Sequence, residues 1–89
     1  MEFTAAHINA LLAQEDVEGF IEAGAPIDEY IDEAAQIAAA LLLLHRNELT
    51  DEIMLSTLSL IWMRSFELSE HDMALRLPAL ERIAVKIIA

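Results

Sequence analysis

The spacing of apolar residues along the chain predicts α-helices and no strands. In the first segment, Ile8, Leu11 and Leu12 recur at intervals of three and one residues, which places them on one face of a helix. Thr4 stands where an N-cap residue belongs, so we expect a first helix from Thr4 to about Ala13. Farther along, the sequence contains no alternating apolar and polar run, internal repeat or low-complexity linker.

The second predicted helix follows a glycine and a proline. Gly24 tolerates a positive φ, and Pro26 fixes its own φ near the helical value while restricting the residue before it. These signals predict a helix that begins near Ile27 and ends near Arg46. Its later part, residues 37–44, is apolar on every side, which is typical of a buried helix.

Two further helices complete the predicted fold. Thr50 is a suitable cap for a third helix from Asp51 to about Phe66, and the dense apolar content of that helix places it at the centre of the core. Ser69 opens a capping box for a fourth helix, in which Pro78 predicts a kink or a break. We therefore predict an all-α fold, a compact four-helix domain formed by the whole chain, with the last helix kinked or broken near Pro78.

The connection into the second helix also carries a recognisable motif. Its residues are Asp16, Gly19, Ile21, Gly24, Ala25, Pro26, Asp28, Glu29, Tyr30 and Glu33. They resemble the signature W-D-P-x-G-[LI]-I-x-x-G-A-P-x-D-E-Y-x-x-E of a family of small bacterial helical proteins catalogued as domain of unknown function 1871. Glu15 and Val17 stand where that family usually has Trp and Pro. The resemblance implies a compact helical domain and carries no activity with it.

Composition adds an excess of apolar side chains. Hydrophobic residues make up 56% of the chain, against about 45 to 50% in an average globular domain. A domain of 89 residues has little interior in which to bury that excess. We therefore expect part of the apolar surface to be covered by a second copy or by a partner.

The net charge of −11 is distributed unevenly along the chain. All five basic residues lie at position 46 or later, whereas nine of the 16 acidic residues precede His45. Such a field repels phosphate backbones and anionic lipids, so we expect neither nucleic acid nor a membrane as a partner. The acidic half of the chain favours a basic protein partner instead. The candidate partner-binding residues are Glu15, Asp16, Glu18, Glu22, Asp28, Glu29, Asp32 and Glu33.

Residues that could support catalysis or bind a metal are sparse. The chain has no cysteine, which excludes disulfides, thiolate metal sites and cysteine nucleophiles. His7, His45 and His71 lie far apart, and none follows a glutamate at the offset used by helical di-metal sites. Asp28 and Asp32 have helical spacing, which is more typical of a solvated helix start than of a calcium loop. With no phosphate loop or nucleophile motif either, we predict no enzyme activity, metal or cofactor.

The remaining expectations concern location and the two large aromatic residues. The start of the chain lacks the features of a secretory signal, and its uncharged runs are too short to span a membrane, so we expect a cytoplasmic protein. Tyr30 and Trp62 are potential interface anchors, but their helical spacing beside Ile27, Leu58 and Phe66 favours a place in the core.

Two functions therefore fit the sequence. The first is a non-enzymatic acidic interaction module, similar in kind to an immunity protein or an antitoxin, that binds a basic protein partner. The alternative is a self-assembling structural domain, a homodimer whose acidic residues only confer solubility.

Overall fold

The fold consists of four α-helices in a computed structural model that describes residues 3–44 and 46–88. No strand occurs in that part of the chain, and the radius of gyration of 12.3 Å matches the value of about 12 Å for a compact chain of this length. The predicted all-α class with four helices is confirmed. The helices are α1 (Ala5–Glu15), α2 (Ile31–Leu42), α3 (Asp51–Phe66) and α4 (Glu70–Ile88), with one 3₁₀ turn at Arg46–Glu48.

Three of the helices begin at the caps that the sequence predicts. The side-chain oxygens of Thr4, Thr50 and Ser69 each accept a hydrogen bond from the backbone N–H three residues later, at 3.1, 3.2 and 3.2 Å. Each bond satisfies one of the N–H groups that a helix start leaves without an internal partner. These N-caps are therefore confirmed.

The helices pack as a ring around one core. Helix α1 packs against α2 and α4, and α3 packs against the same two helices from the other side. All four contribute to the core, α3 and α4 equally, so the prediction of a core centred on α3 is wrong. Tyr30 and Trp62 are fully buried, as predicted. The core residues are Ile8, Leu12, Tyr30, Ala34, Ile37, Leu41, Met54, Leu58, Ile61, Trp62, Leu80, Ile83, Ala84 and Ile87.

Helix α2 begins four residues later than the prediction of a start near Ile27. The residues before it form tight turns, in which the N–H of Ile31 donates to the carbonyl of Asp28 at 3.0 Å. Tyr30 has φ −98° and ψ 17°, outside the helical range, because its side chain is drawn into the core from the end of the turn. As a result Asp28 and Glu29 precede the helix and do not belong to its first turn.

Only one face of α2 is buried, so the prediction of a helix buried on all sides is wrong. The ring leaves the outer side of α2 without a neighbouring helix among the described residues. Leu42 and Leu43 at its end are 83% and 85% exposed. His45, expected in the last turn of this helix, lies outside the described residues. The buried residues of α2 are Glu33, Ala34, Ile37 and Leu41.

Helix α4 continues through Pro78 as one element. Proline has no N–H, so the carbonyl of Ala74 lacks the donor that the helix would otherwise supply four residues later. Helix α4 packs against α1 and α3, and its buried residues all follow Pro78. The uninterrupted helix shows that a break at Pro78 is wrong, whereas the alternative, a kink near Pro78, stays a prediction.

Candidate functional site

The acidic connection, residues 16–30, is ordered around the carboxylate of Asp16. This residue ends α1 in the left-handed region with φ 49°. Its oxygens accept hydrogen bonds from the N–H groups of Ile21 at 3.1 Å and Glu22 at 2.9 Å, and from the hydroxyl of Tyr30 at 2.7 Å. Burial alone would raise the pKa of Asp16, but these bonds hold it below its ordinary value. Asp16 is therefore an ionised structural residue that joins the start of the acidic connection to its middle and its end through hydrogen bonds.

Glu18 fastens the acidic connection to α3 and α4. Its carboxylate accepts a hydrogen bond from Nε1 of Trp62 at 2.8 Å and two from Arg76, from Nε at 2.6 Å and Nη2 at 2.9 Å. Only 7% of the Glu18 side chain and 23% of the Arg76 side chain is exposed. Burial would raise the pKa of Glu18, yet the hydrogen bonds and the charge of Arg76 lower it overall. Glu18 is thus an ionised anchor beneath the surface.

Tyr30 joins the two carboxylates. Its hydroxyl donates to Asp16 and accepts from the backbone N–H of Glu18 at 3.1 Å, while its ring lies 5.6 Å from that of Trp62. Burial and the hydrogen bond to Asp16 both raise the pKa of Tyr30, so the hydroxyl stays protonated. We call these residues the anchoring cluster: Asp16, Glu18, Tyr30, Trp62 and Arg76.

Glu15 is also used inside the fold. It forms a two-pronged contact with Arg82, at 3.0 and 3.1 Å, and lies 3.6 Å from Nζ of Lys86. The hydrogen bonds from Arg82 lower the pKa of Glu15 more than burial raises it. This ion pair ties the end of α1 to α4.

Glu33 is a nearly buried acid in the first turn of α2. Its exposed fraction is 9%, and it faces Ser65 on α3. Burial raises the pKa of Glu33, and the nearby charges of Asp32 and Glu29 add to the rise. A carboxylate held in this position is not presented to a partner.

The other four predicted residues are exposed and remain available. We call Glu22, Asp28, Glu29 and Asp32 the open carboxylates. No cationic side chain that the structure describes, which leaves out that of Arg46, lies within ion-pair distance of these four carboxylates. The structure therefore divides the predicted set of eight: Glu15, Asp16 and Glu18 support the fold, Glu33 is nearly buried, and the open carboxylates face solvent.

Two members of the anchoring cluster could not be associated with the connection from sequence. Trp62 and Arg76 are 44 and 58 residues away from Glu18. Neither has a local signal that points to a carboxylate, because the contact depends on how α3 and α4 pack. Tyr30 and Asp16, in contrast, both belong to the motif in residues 16–33.

The chemistry available at this site is recognition by charge. Within the described residues no group of three or more His, Cys, Asp or Glu is arranged to hold a metal ion. His7 and His71 are exposed near the starts of α1 and α4. The open carboxylates can accept hydrogen bonds and attract cations, and the anchoring cluster holds the backbone that carries them.

No protein-family model, curated protein or solved structure matches this chain. The resemblance to domain of unknown function 1871 thus stays a prediction. Among the helices of the described residues, none is long and apolar enough to cross a membrane.

Proposed function

We propose that the protein is a non-enzymatic interaction module that binds a basic protein partner through the open carboxylates. The observation that carries this proposal is the contrast between the two halves of the acidic connection. Asp16 and Glu18 hold its backbone to the core, while Glu22, Asp28 and Glu29 are exposed and have no cationic partner among the described side chains. A preorganised acidic surface binds with less loss of conformational freedom than a flexible one.

Long-range attraction should raise the rate at which a partner associates with this surface. The net charge of −11 draws a basic partner toward the module, and complementary charges raise the association rate more than the final affinity. Salt weakens this attraction because the Debye length falls from about 30 Å at 0.01 M to about 8 Å at 0.15 M. Rate and salt dependence are therefore the quantities to measure.

The test compares two variants of equal charge. A salt-graded pull-down first isolates basic proteins that bind the module, and stopped-flow fluorescence then gives their association rates. Neutralising the four open carboxylates as amides should slow association by about an order of magnitude at 0.01 M salt. The control raises the net charge by the same four units without changing any acid, by placing Lys at four exposed neutral positions: Ala6, Ala39, Asn47 and Ser56.

The control variant has the same net charge as the open-carboxylate variant. It therefore separates the effect of the local surface on the association rate from the effect of the overall electrostatic field. If both variants slow association equally, only net charge matters and the open carboxylates are not the binding surface. An unchanged rate in the open-carboxylate variant would contradict the proposal directly. A cytoplasmic location is part of the proposal and is checked by fractionating cells that express the tagged protein.

Self-assembly is the second candidate function, and the exposed apolar residues favour it. Ile27, Leu42 and Leu43 are 76%, 83% and 85% exposed, more than any other large hydrophobic residue described. A homodimer that buried them would remove apolar surface from water. Light scattering should then give a dimer mass that falls to a monomer mass in the L42Q/L43Q variant. A monomer mass for the unmodified protein up to about millimolar concentration would rule out this function.

A further inference from the structure

The outer seam between α3 and α4 carries two depressions, which we together call the groove. The α3 residues that line it, 52, 55, 59 and 63, recur every three or four positions and so share one face of the helix. Residues 51–55 lie beside 81–85, and residues 59–63 lie beside 70–77, so the two helices run antiparallel. The two depressions between them consequently lie on one line along the seam.

One half of the groove is apolar with an acidic rim. Leu55, Ala84 and Val85 line its floor, and Val85 is 54% exposed. The rim is formed by the three carboxylates of Asp51, Glu52 and Glu81. These carboxylates have no ion-pair partner among the described side chains. The chemistry of this half is therefore complementary to a side chain that combines an apolar stem with a positive charge.

The other half of the groove is more apolar. Met63, Met73, Ala74 and Leu77 line it, together with Ser59 and a single charged residue, Glu70. Met63 and Leu77 are 39% and 36% exposed. Methionine side chains adapt their shape to an incoming surface.

We propose that this groove binds a cationic amphipathic α-helix of a partner protein. The lined part of α3 spans about 18 Å at 1.5 Å per residue, which corresponds to about 12 residues of a partner helix. Apolar residues spaced three and four apart would fill the groove, and flanking Lys or Arg would meet the rim, as in other helix-in-groove complexes. The cavity volumes of about 270 and 350 Å³ lie near the lower end of the range of about 300 to 1,000 Å³ found for ligand pockets.

The charge of the groove favours a foreign helix over a second copy of this chain. None of the described side chains that line either half is basic, and each copy carries a net charge of −11. Two such rims facing each other would repel. This inference goes beyond the proposed function, because it assigns a second docking surface that is distinct from the open carboxylates.

The test uses a fluorescein-labelled peptide of 14 residues, made of Leu and Lys arranged so that all Leu share one helical face. A scrambled peptide of the same composition serves as the probe for charge alone. Fluorescence anisotropy is measured with the full-length protein at 0.15 M salt. We expect the amphipathic peptide to bind at least about tenfold more tightly than the scrambled one, because only it can place a row of Leu in the groove.

Matched variants locate the binding surface. M63Q/L77Q makes the groove polar without changing the net charge and should weaken binding of the amphipathic peptide about tenfold. L42Q/L43Q removes two exposed apolar side chains elsewhere and should leave binding unchanged. Circular dichroism confirms that each variant is folded. In NMR titrations the amides of Ala74 and Leu77 should shift in the unmodified protein.

The outcomes distinguish this inference from the proposed function. Equal binding of both peptides would refute binding in the groove. Equal effects of M63Q/L77Q and L42Q/L43Q would refute it as well. If neutralising the open carboxylates weakens binding while M63Q/L77Q does not, the groove is wrong and the proposed function stands. If neither peptide binds, the groove inference is refuted, whereas the proposed function is decided by the association rates of the open-carboxylate variant. A dimer that becomes a monomer only in M63Q/L77Q would identify a second copy as the occupant and overturn the assignment of a foreign helix.

Discussion

The contact between Glu18 and Arg76 should be among the most stabilising polar contacts of the fold. Glu18→Gln removes the negative charge while keeping an oxygen that can accept from Nε1 of Trp62. Arg76 would then be left with a neutral partner in a position where only 23% of its side chain is exposed. Removal of one partner from a fully buried pair costs about 3 to 5 kcal/mol. Partial exposure and the retained hydrogen bond reduce the expected loss to about 2 to 3 kcal/mol.

Urea unfolding followed by circular dichroism measures this loss. For a slope near about 1 kcal/mol per molar urea, a loss of this size lowers the midpoint by about 2 M. Glu22→Gln is the matched control, since it removes the same charge from an exposed part of the same connection. Its effect should stay within about 0.5 kcal/mol. A double-mutant cycle with Arg76→Gln should show a coupling above about 1 kcal/mol between the two positions.

The contribution of Glu18 should also depend on pH. The folded-state pKa of Glu18 lies below its ordinary value of 4.5, so its stabilisation is present above that pH and is lost as the pH falls through the lower folded pKa. The difference between the unmodified protein and Glu18→Gln should therefore narrow below about pH 4. A loss under about 0.5 kcal/mol at pH 7, or a coupling near zero, would refute the role of Glu18 as an anchor.

Four further substitutions at three positions test other contacts by the same unfolding measurement. Tyr30→Phe should lower the free energy of unfolding by about 1 kcal/mol, because it removes the hydroxyl bonded to Asp16. Tyr30→Ala should lower it by about 2 to 4 kcal/mol, because it leaves a cavity. A loss below about 0.5 kcal/mol for Tyr30→Ala would place the ring outside the core. Glu33→Gln should stabilise the protein at pH 7, because the raised folded-state pKa of Glu33 means that its charged form is unfavourable in the fold. This gain in stability should disappear as the pH falls below the ordinary pKa of the carboxyl group. No gain at pH 7 would contradict the burial of the charge. Pro78→Ala should stabilise by about 1 to 2 kcal/mol by restoring the bond to the Ala74 carbonyl, and an unchanged midpoint would show that the carbonyl is already satisfied.

The secondary structure was largely determined by local sequence. The caps at Thr4, Thr50 and Ser69 were predictable because each depends on a side chain and an N–H only three residues apart. The positive φ of Gly24, at 114°, was predictable for a similar reason, since glycine has no Cβ to clash in that region. Helical periodicity then placed most of the core residues, including Trp62, on the inward face.

The roles of the acidic residues were decided by tertiary structure. A negative charge in the sequence does not reveal whether a cation will be packed against it, so Glu18 and Glu22 looked equivalent until α4 brought Arg76 to Glu18. The start of α2 shifted for the same kind of reason, because the burial of Tyr30 required a turn where local signals favoured a helix. Leu42 likewise has the hydrophobic side chain of a core residue. It is exposed because no helix of the ring covers the outer side of α2. Hydrophobicity and charge are properties of one residue, whereas burial and pairing also require a neighbour, which only the packing of distant helices supplies.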